Sequence, residues 1–440
     1  MAQLEHRPPA DSPPSLWQNR DYMVWWAGTG LSTLGSSVSS IAFPLYALYA
    51  TGSAVQAGSI SAANLIGSVT MTLVGGVLTD RVSRRAIMIC GPLAQTVALA
   101  VVAWLVQRGC GAPLLPLVAC ALLSGLASGL TMGAATPALR RIVPREQVGA
   151  ATAQGMGRDL VAQLIGSPLG GLLFATARWL PFLADAVSYV CAALGVALIR
   201  RPLGPDRSET GRQGMFGGLA AGVRMVRHHP YLRFTVVWGA FLNAVTQGFL
   251  LLLIALVKYR GGGPTAVGTV NAAALVGGVV GAVVTPRVMR RLRAKTVLVV
   301  AMWLFVESFA AVAAVPRPWQ IGAVLLVAMV ATVPLNVVLE SYEARLVPDE
   351  FSGRVAAVTR FGMQCLQWTG PLVAGCCADL FGVPGAVLAL MIAMLALALV
   401  LHRSRSLGVL DIPLEDVVEL TGPADGEARG AGTASGGTHG

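Results

Sequence analysis

The sequence predicts an all-α polytopic membrane protein of twelve transmembrane helices in two pseudo-symmetric six-helix bundles. Three observations carry this. Hydrophobic residues make up 55% of the 440 and charged residues 12%, with a mean hydropathy of +0.68, a balance that places the chain in lipid. Twelve stretches meet the requirement of about 20 mainly apolar residues for a spanning helix. Finally, Leu139-Arg-Arg-Ile-Val-Pro144-Arg-Glu returns 204 residues later as Glu343-Ala-Arg-Leu-Val-Pro348-Asp-Glu. A repeat at nearly half the chain length puts the functional centre where the halves meet.

In order, the spans are expected near 22–50, 55–79, 86–107, 114–138, 147–176 and 179–199, then 232–257, 264–286, 296–315, 319–342, 353–380 and 383–401. The domain reading is a tail over 1–20, a first bundle over 21–200, a linker over 201–231 carrying a basic amphipathic helix, a second bundle over 232–402, and a largely disordered tail over 403–440.

The net charge of +11 follows topology rather than marking a nucleic-acid surface. Loops after the even-numbered spans hold twenty Lys and Arg residues against five on the other side. The positive-inside rule then makes the protein multi-pass in the cell membrane of a bacterium, with both termini cytoplasmic. The seven cysteines fall mostly inside spans, so no disulfide framework is expected. Metal-ligand spacing, nucleotide-binding motifs, and a nucleophile with a nearby base are all missing from the sequence, so neither cofactor nor enzymatic reaction is expected.

Between spans two and three stands Gly76-Val-Leu-Thr-Asp80-Arg81-Val-Ser-Arg84-Arg85. This loop resembles the signature loop of the major facilitator superfamily, with Ser83 where that pattern has glycine. The resemblance implies a conformational latch in which Asp80 pairs across the seam with a cytoplasmic arginine, the candidates being Arg140, Arg141 and Arg354. Asn19-Arg-Asp-Tyr22, Leu183-Ala-Asp185-Ala-Val-Ser188-Tyr189 and the segment Gly222–Arg233 are similar to the drug and siderophore exporter branch, which includes macrolide-efflux and enterobactin-exporter-like proteins. Gly166-Ser-Pro168-Leu-Gly170-Gly171 resembles part of an antiporter signature, with Ser167 where that signature usually has glycine. A proline between glycines makes a bent, closely packed helix.

Charges inside hydrocarbon cost at least about 2.5 kcal/mol each and therefore need a partner or a wet cavity. Arg158 and Asp159 lie roughly 17 Å into span five. As sequence neighbours pointing about 100° apart, at least one is expected to need a partner on another helix. Asp159 is the first candidate for carrying a proton, with Arg158 or Arg360 switching its affinity, and Asp185 is the second. For the substrate cavity, the fold implies lining by spans one, four, seven and ten, with spans two and eight, five and eleven contributing rims. Ser36, Ser37, Asn64, Asn243, Gln247, Asn271 and Asn336 are candidate polar contacts, and Trp25, Trp26, Trp238 and Phe241 candidate apolar surfaces. Few fixed charges favour a lipophilic or amphipathic solute.

The expected function is therefore secondary efflux of such a solute, by proton antiport through alternating access, in a monomeric protein whose partners are the solute, protons and the lipid bilayer. A narrow siderophore or natural-product exporter, and a non-transporting scaffold or sensor of the same fold, are the alternatives.

Overall fold

The structure is a computed structural model. It describes residues 15–109, 114–200, 215–412 and 416, with the side chains of 73, 74, 76–81, 136 and 215–219 outside the description. The first half comprises α1 (Arg20–Thr51), α2 (Ala54–Arg81), α3 (Arg84–Gln107), α4 (Leu114–Ile142), α5 (Val148–Thr176) and α6 (Leu180–Leu198). Helix starts follow local chemistry. Asn19 accepts from the Tyr22 backbone N–H at the head of α1, and Ser83 accepts from that of Ala86 at the head of α3.

After α7 (Met215–His228), the second half runs through α8 (Pro230–Tyr259), α9 (Pro264–Arg291), α10 (Ala294–Ala314), α11 (Pro318–Met329), α12 (Thr332–Leu346), α13 (Asp349–Gln364) and α14 (Thr369–Arg403). Proline opens α8, α9 and α11, where its missing N–H costs no helical bond.

Among the described residues, ten segments are long and apolar enough to cross a membrane; α2 adds another, and the last of the ten holds two. Gly370 in α14 lies against Ala244 and Gly248 of α8, while the Leu397 carbonyl accepts from Trp238 Nε1, 3.1 Å away. A straight helix would separate Gly370 from Leu397 by roughly 40 Å, yet Ala244 and Trp238 are under two turns apart. The chain reverses at Gly382, whose φ of 73° favours glycine. Twelve spans result.

Spans ten and eleven, expected as continuous helices, are interrupted at 330–331 and 365–368. In each case a proline follows and removes the N–H that would reach the carbonyl four residues back, from Pro334 to Val330 and from Pro371 to Gln367. The chain tightens there into three-residue bonds, Ala331 N to Ala328 O and Gly370 N to Gln367 O.

The segment after α14, placed in a largely disordered tail over 403–440, begins with a packed turn, Arg405–Asp411. Leu407 and Leu410 are buried, Asp411 pairs with Lys295 at 2.9 Å, and Tyr342 Oη donates to the Ile412 carbonyl at 2.8 Å. Two leucines spaced three apart supply enough apolar surface to hold it, a signal masked by the polar stretch beyond. Leu407→Ala is expected to cost about 2–3 kcal/mol and lower the thermal midpoint of the purified protein by several degrees; an unchanged midpoint would show that the turn does not contribute to the fold.

Candidate functional site

A cavity of 430 Å³ lies between the halves, within the usual range for a small-molecule site. Its walls come from α1, α2, α3, α4, α6, α8, α9 and α14. The expected contribution of span ten is not found among the described lining residues, and α3 and α6 supply polar groups that were not anticipated from the fold. The shift has a local cause. Gly35 carries no side chain where a Cβ would stand 2.6 Å from Asp185 Oδ1, so α6 presses its carboxylate against α1.

Asp185 is the one charged side chain among the described lining residues. It is 2% exposed, and its carboxylate accepts from Ser39 Oγ and from Ser188 Oγ at 3.2 Å. Beside it, Tyr189 Oη shares a hydrogen bond with Ser36 Oγ at 2.7 Å and accepts from Gln95 Nε2 at 2.9 Å. A chain of hydroxyl and amide groups thus lines one wall. Gln95 was overlooked, although an amide in the middle of a mainly apolar span is a readable signal. The rest of the lining mixes apolar side chains, among them Phe43, Ile60, Leu251 and Val267, with further serines and amides.

Of the expected polar contacts, Ser36, Asn64, Gln247 and Asn271 line the cavity. Asn64 also donates to the Ala121 carbonyl at 3.1 Å, binding α2 to α4. Ser37 donates back to Thr33 O within α1, Asn243 donates back to Gly239 O within α8, and Asn336 is exposed; these three are not among the lining residues. Nor are the expected aromatic surfaces. Trp238 is buried against the Leu397 carbonyl, Phe241 is half exposed, and Trp25 and Trp26 flank Arg158.

Arg158 and Asp159 meet because the long arginine side chain curls back, and each also has a partner on α1. Its Nη2 lies 2.8 Å from Asp159 Oδ1, its Nη1 donates to Trp26 O at 2.8 Å, and Thr33 Oγ1 donates to the same carboxylate oxygen at 3.1 Å. The pair ties α5 to α1 outside the cavity lining. Arg360 is exposed and is not among the described lining residues.

The latch candidates Gly76, Asp80 and Arg81 have side chains outside the described residues. Arg84 begins α3, and Arg85 donates to the Ala197 carbonyl at 2.6 Å. Arg140 and Arg354 are exposed, and Arg141 is partly buried.

The described packing between halves concentrates on the face opposite the arginine-rich loops. There α5 meets α9 and α2 meets α14. Helix α5 runs through Pro168 as one element. Gly166 and Gly170 face Leu34 and Val38 of α1, while Gly171 faces Pro264 and Pro168 faces Gly268, both in α9. Ser167, at the place where the antiporter-like pattern has glycine, accepts from Asn271 Nδ2 across the seam at 2.8 Å.

Two helical halves around a small-molecule cavity, packed together at one face, define a membrane transport protein of the two-bundle type. The chain belongs to the Major Facilitator Superfamily, whose family model matches residues 25–367. It is 25% identical over 400 residues to the multidrug efflux pump Tap of Mycolicibacterium fortuitum, covering 86% of this chain and 95% of that protein. Macrolide efflux protein A of Streptococcus pyogenes is 24% identical over 223 residues, 49% of this chain and 53% of that protein. The crystal structure of the nucleoside transporter NupG superposes with a TM-score of 0.71 at 13% identity, over 87% of this chain and 98% of that one.

Proposed function

We propose that this protein is a secondary efflux transporter that exchanges a lipophilic or amphipathic small molecule for protons by alternating access. Asp185 is the carboxylate at which exchange occurs. The observation that carries this reading is a single acid on the wall of a cavity whose other described lining residues are uncharged, with no basic side chain among them. A carboxylate so placed is neutralised by a proton or by a cationic group of the solute, and the two exclude one another; that exclusion is the requirement for antiport. Asp159, by contrast, already has Arg158 as its counter-ion, which makes it the second candidate.

The efflux direction draws on the names of the relatives and on the arginine distribution, which makes the arginine-rich face cytoplasmic. With the opposite face sealed, the cavity is poised to receive solute from the cytoplasm or inner leaflet. Resealing on the arginine-rich side and opening on the other would deliver it outward.

The test is accumulation of fluorescent and antibiotic lipophiles in a pump-deficient host, with and without the protein, before and after collapse of the proton gradient. Reduced accumulation that returns to the control level when the gradient is collapsed is the expected result. Equal accumulation across the panel, with the protein folded in the membrane, would overturn efflux of general lipophiles. Reduced accumulation that persists without the gradient would overturn proton coupling.

A further inference from the structure

The face opposite the arginine-rich loops carries two charged contacts between halves that converge on one hairpin. Helices α1 and α2 are joined there by Gly52 and Ser53, with Gly52 at φ 71°. From the second half, Asp379 of α14 reaches the head of α2. Its Oδ1 accepts from the Ala54 N–H at 2.9 Å, and its Oδ2 from Ser53 Oγ at 2.7 Å and the Val55 N–H at 3.3 Å. The first N–H groups of a helix have no intrahelical partner and carry the positive end of its dipole, so a carboxylate is the group that suits them.

Lys258 of α8 reaches the other limb. Its Nζ donates to the Leu48 carbonyl in the last turn of α1 at 2.7 Å and lies 4.3 Å from the Tyr49 ring centroid. A cation suits the negative end of a helix as an anion suits the positive end. Both limbs of the hairpin are therefore held by the second half, each with the complementary sign.

We infer that Asp379 and Lys258 form a charge clamp on the α1–α2 hairpin that sets how often the transporter opens on this face, making them positioning residues for solute release. They do not line the cavity and touch no solute there. Opening this face separates α2 from α14 and α1 from α8, and breaks both contacts in the same movement. The clamp rests on the alternating-access reading proposed above. It differs from the latch implied by the signature loop, which lies at the arginine-rich end.

The test uses the full chain in lipid nanodiscs, with native cysteines replaced and spin labels at Leu115 and Trp319, exposed positions at the heads of α4 and α11. Distance distributions are measured with solute and pH varied. In the parent chain a dominant short distance and a minor long one are expected. Asp379→Asn and Lys258→Met should each raise the long-distance fraction relative to the short one by about tenfold, the scale of losing charge-assisted hydrogen bonds, and Asp379→Glu should restore the parent ratio. Solute efflux should slow in the two neutral variants with its half-saturating concentration little changed.

Two distances in the parent chain, unaltered by either neutral variant, would overturn the clamp and leave alternating access standing. One distance under every condition would overturn both. Because the variants lie on different helices and Asn keeps the shape of Asp, misfolding of one leaves the other to decide.

Discussion

Asp185→Asn is expected to abolish gradient-driven efflux while leaving the protein folded. Solute accumulation in cells should return to the level of cells lacking the protein, a loss of at least about tenfold. The amide occupies the same volume beside Gly35; its oxygen can accept from one of the two serine hydroxyls that hold the carboxylate now, and its NH2 can donate to the other. What it cannot do is take up and release a proton, or neutralise a cationic solute. Both halves of the exchange cycle therefore fail together. Asp159→Asn should behave differently. It leaves Arg158, whose side chain is 7% exposed, without its counter-ion, an effect on the order of 2 kcal/mol on stability, but the cavity is unchanged and coupled efflux should persist. Thermal midpoints and proton-driven efflux measured on both variants separate the roles. Intact coupling in Asp185→Asn alongside its loss in Asp159→Asn would assign the proton to the Arg158-paired carboxylate instead.

Gly171→Leu should stop transport by a different route. A Cβ there would stand 3.0 Å from the carbonyl carbon of Pro264 and 3.1 Å from Thr265 Cα, with the Pro264 oxygen closer still. Backbone on the facing helix cannot swing aside as a side chain can, so α5 and α9 must separate. The overlap lies between the halves rather than within either, so each bundle keeps its own packing. The chain should insert and fold, yet fail to seal the face opposite the arginine-rich loops, with efflux reduced at least about tenfold. Gly157→Leu is the matched control, on the same helix and with open space around its Cβ; it should transport normally. Normal efflux by Gly171→Leu would show that this seam need not close during the cycle.

These residues also mark the boundary between what sequence and structure decide. Gly171 and Pro168 were legible as a close-packing segment, because small residues around a proline have the same steric meaning wherever they occur. That Gly171 faces α9 of the other half while Gly166 and Gly170 face α1 of their own was not legible. Neither was the bond from Asn271 to Ser167, which makes a departure from the family pattern into a contact across the seam. Asp379 lay near the end of a predicted span with nothing nearby in sequence to suggest a role. Its partners, Ser53 to Val55, are more than 320 residues away.

The twelve spans, their internal repeat and the arginine-rich face follow from sums over about twenty residues, and such sums are insensitive to an error of a residue or two. The interruptions in spans ten and eleven belonged to the same local chemistry, since Pro334 and Pro371 each remove a specific backbone bond. Choosing between Asp159 and Asp185 was a different kind of question. One residue turns a helix face by about 100°, and what stands opposite that face is chosen by helices far away in the chain. Only the packed bundle set Arg158 beside Asp159 and brought Asp185, in the space left by Gly35, to the wall of the cavity.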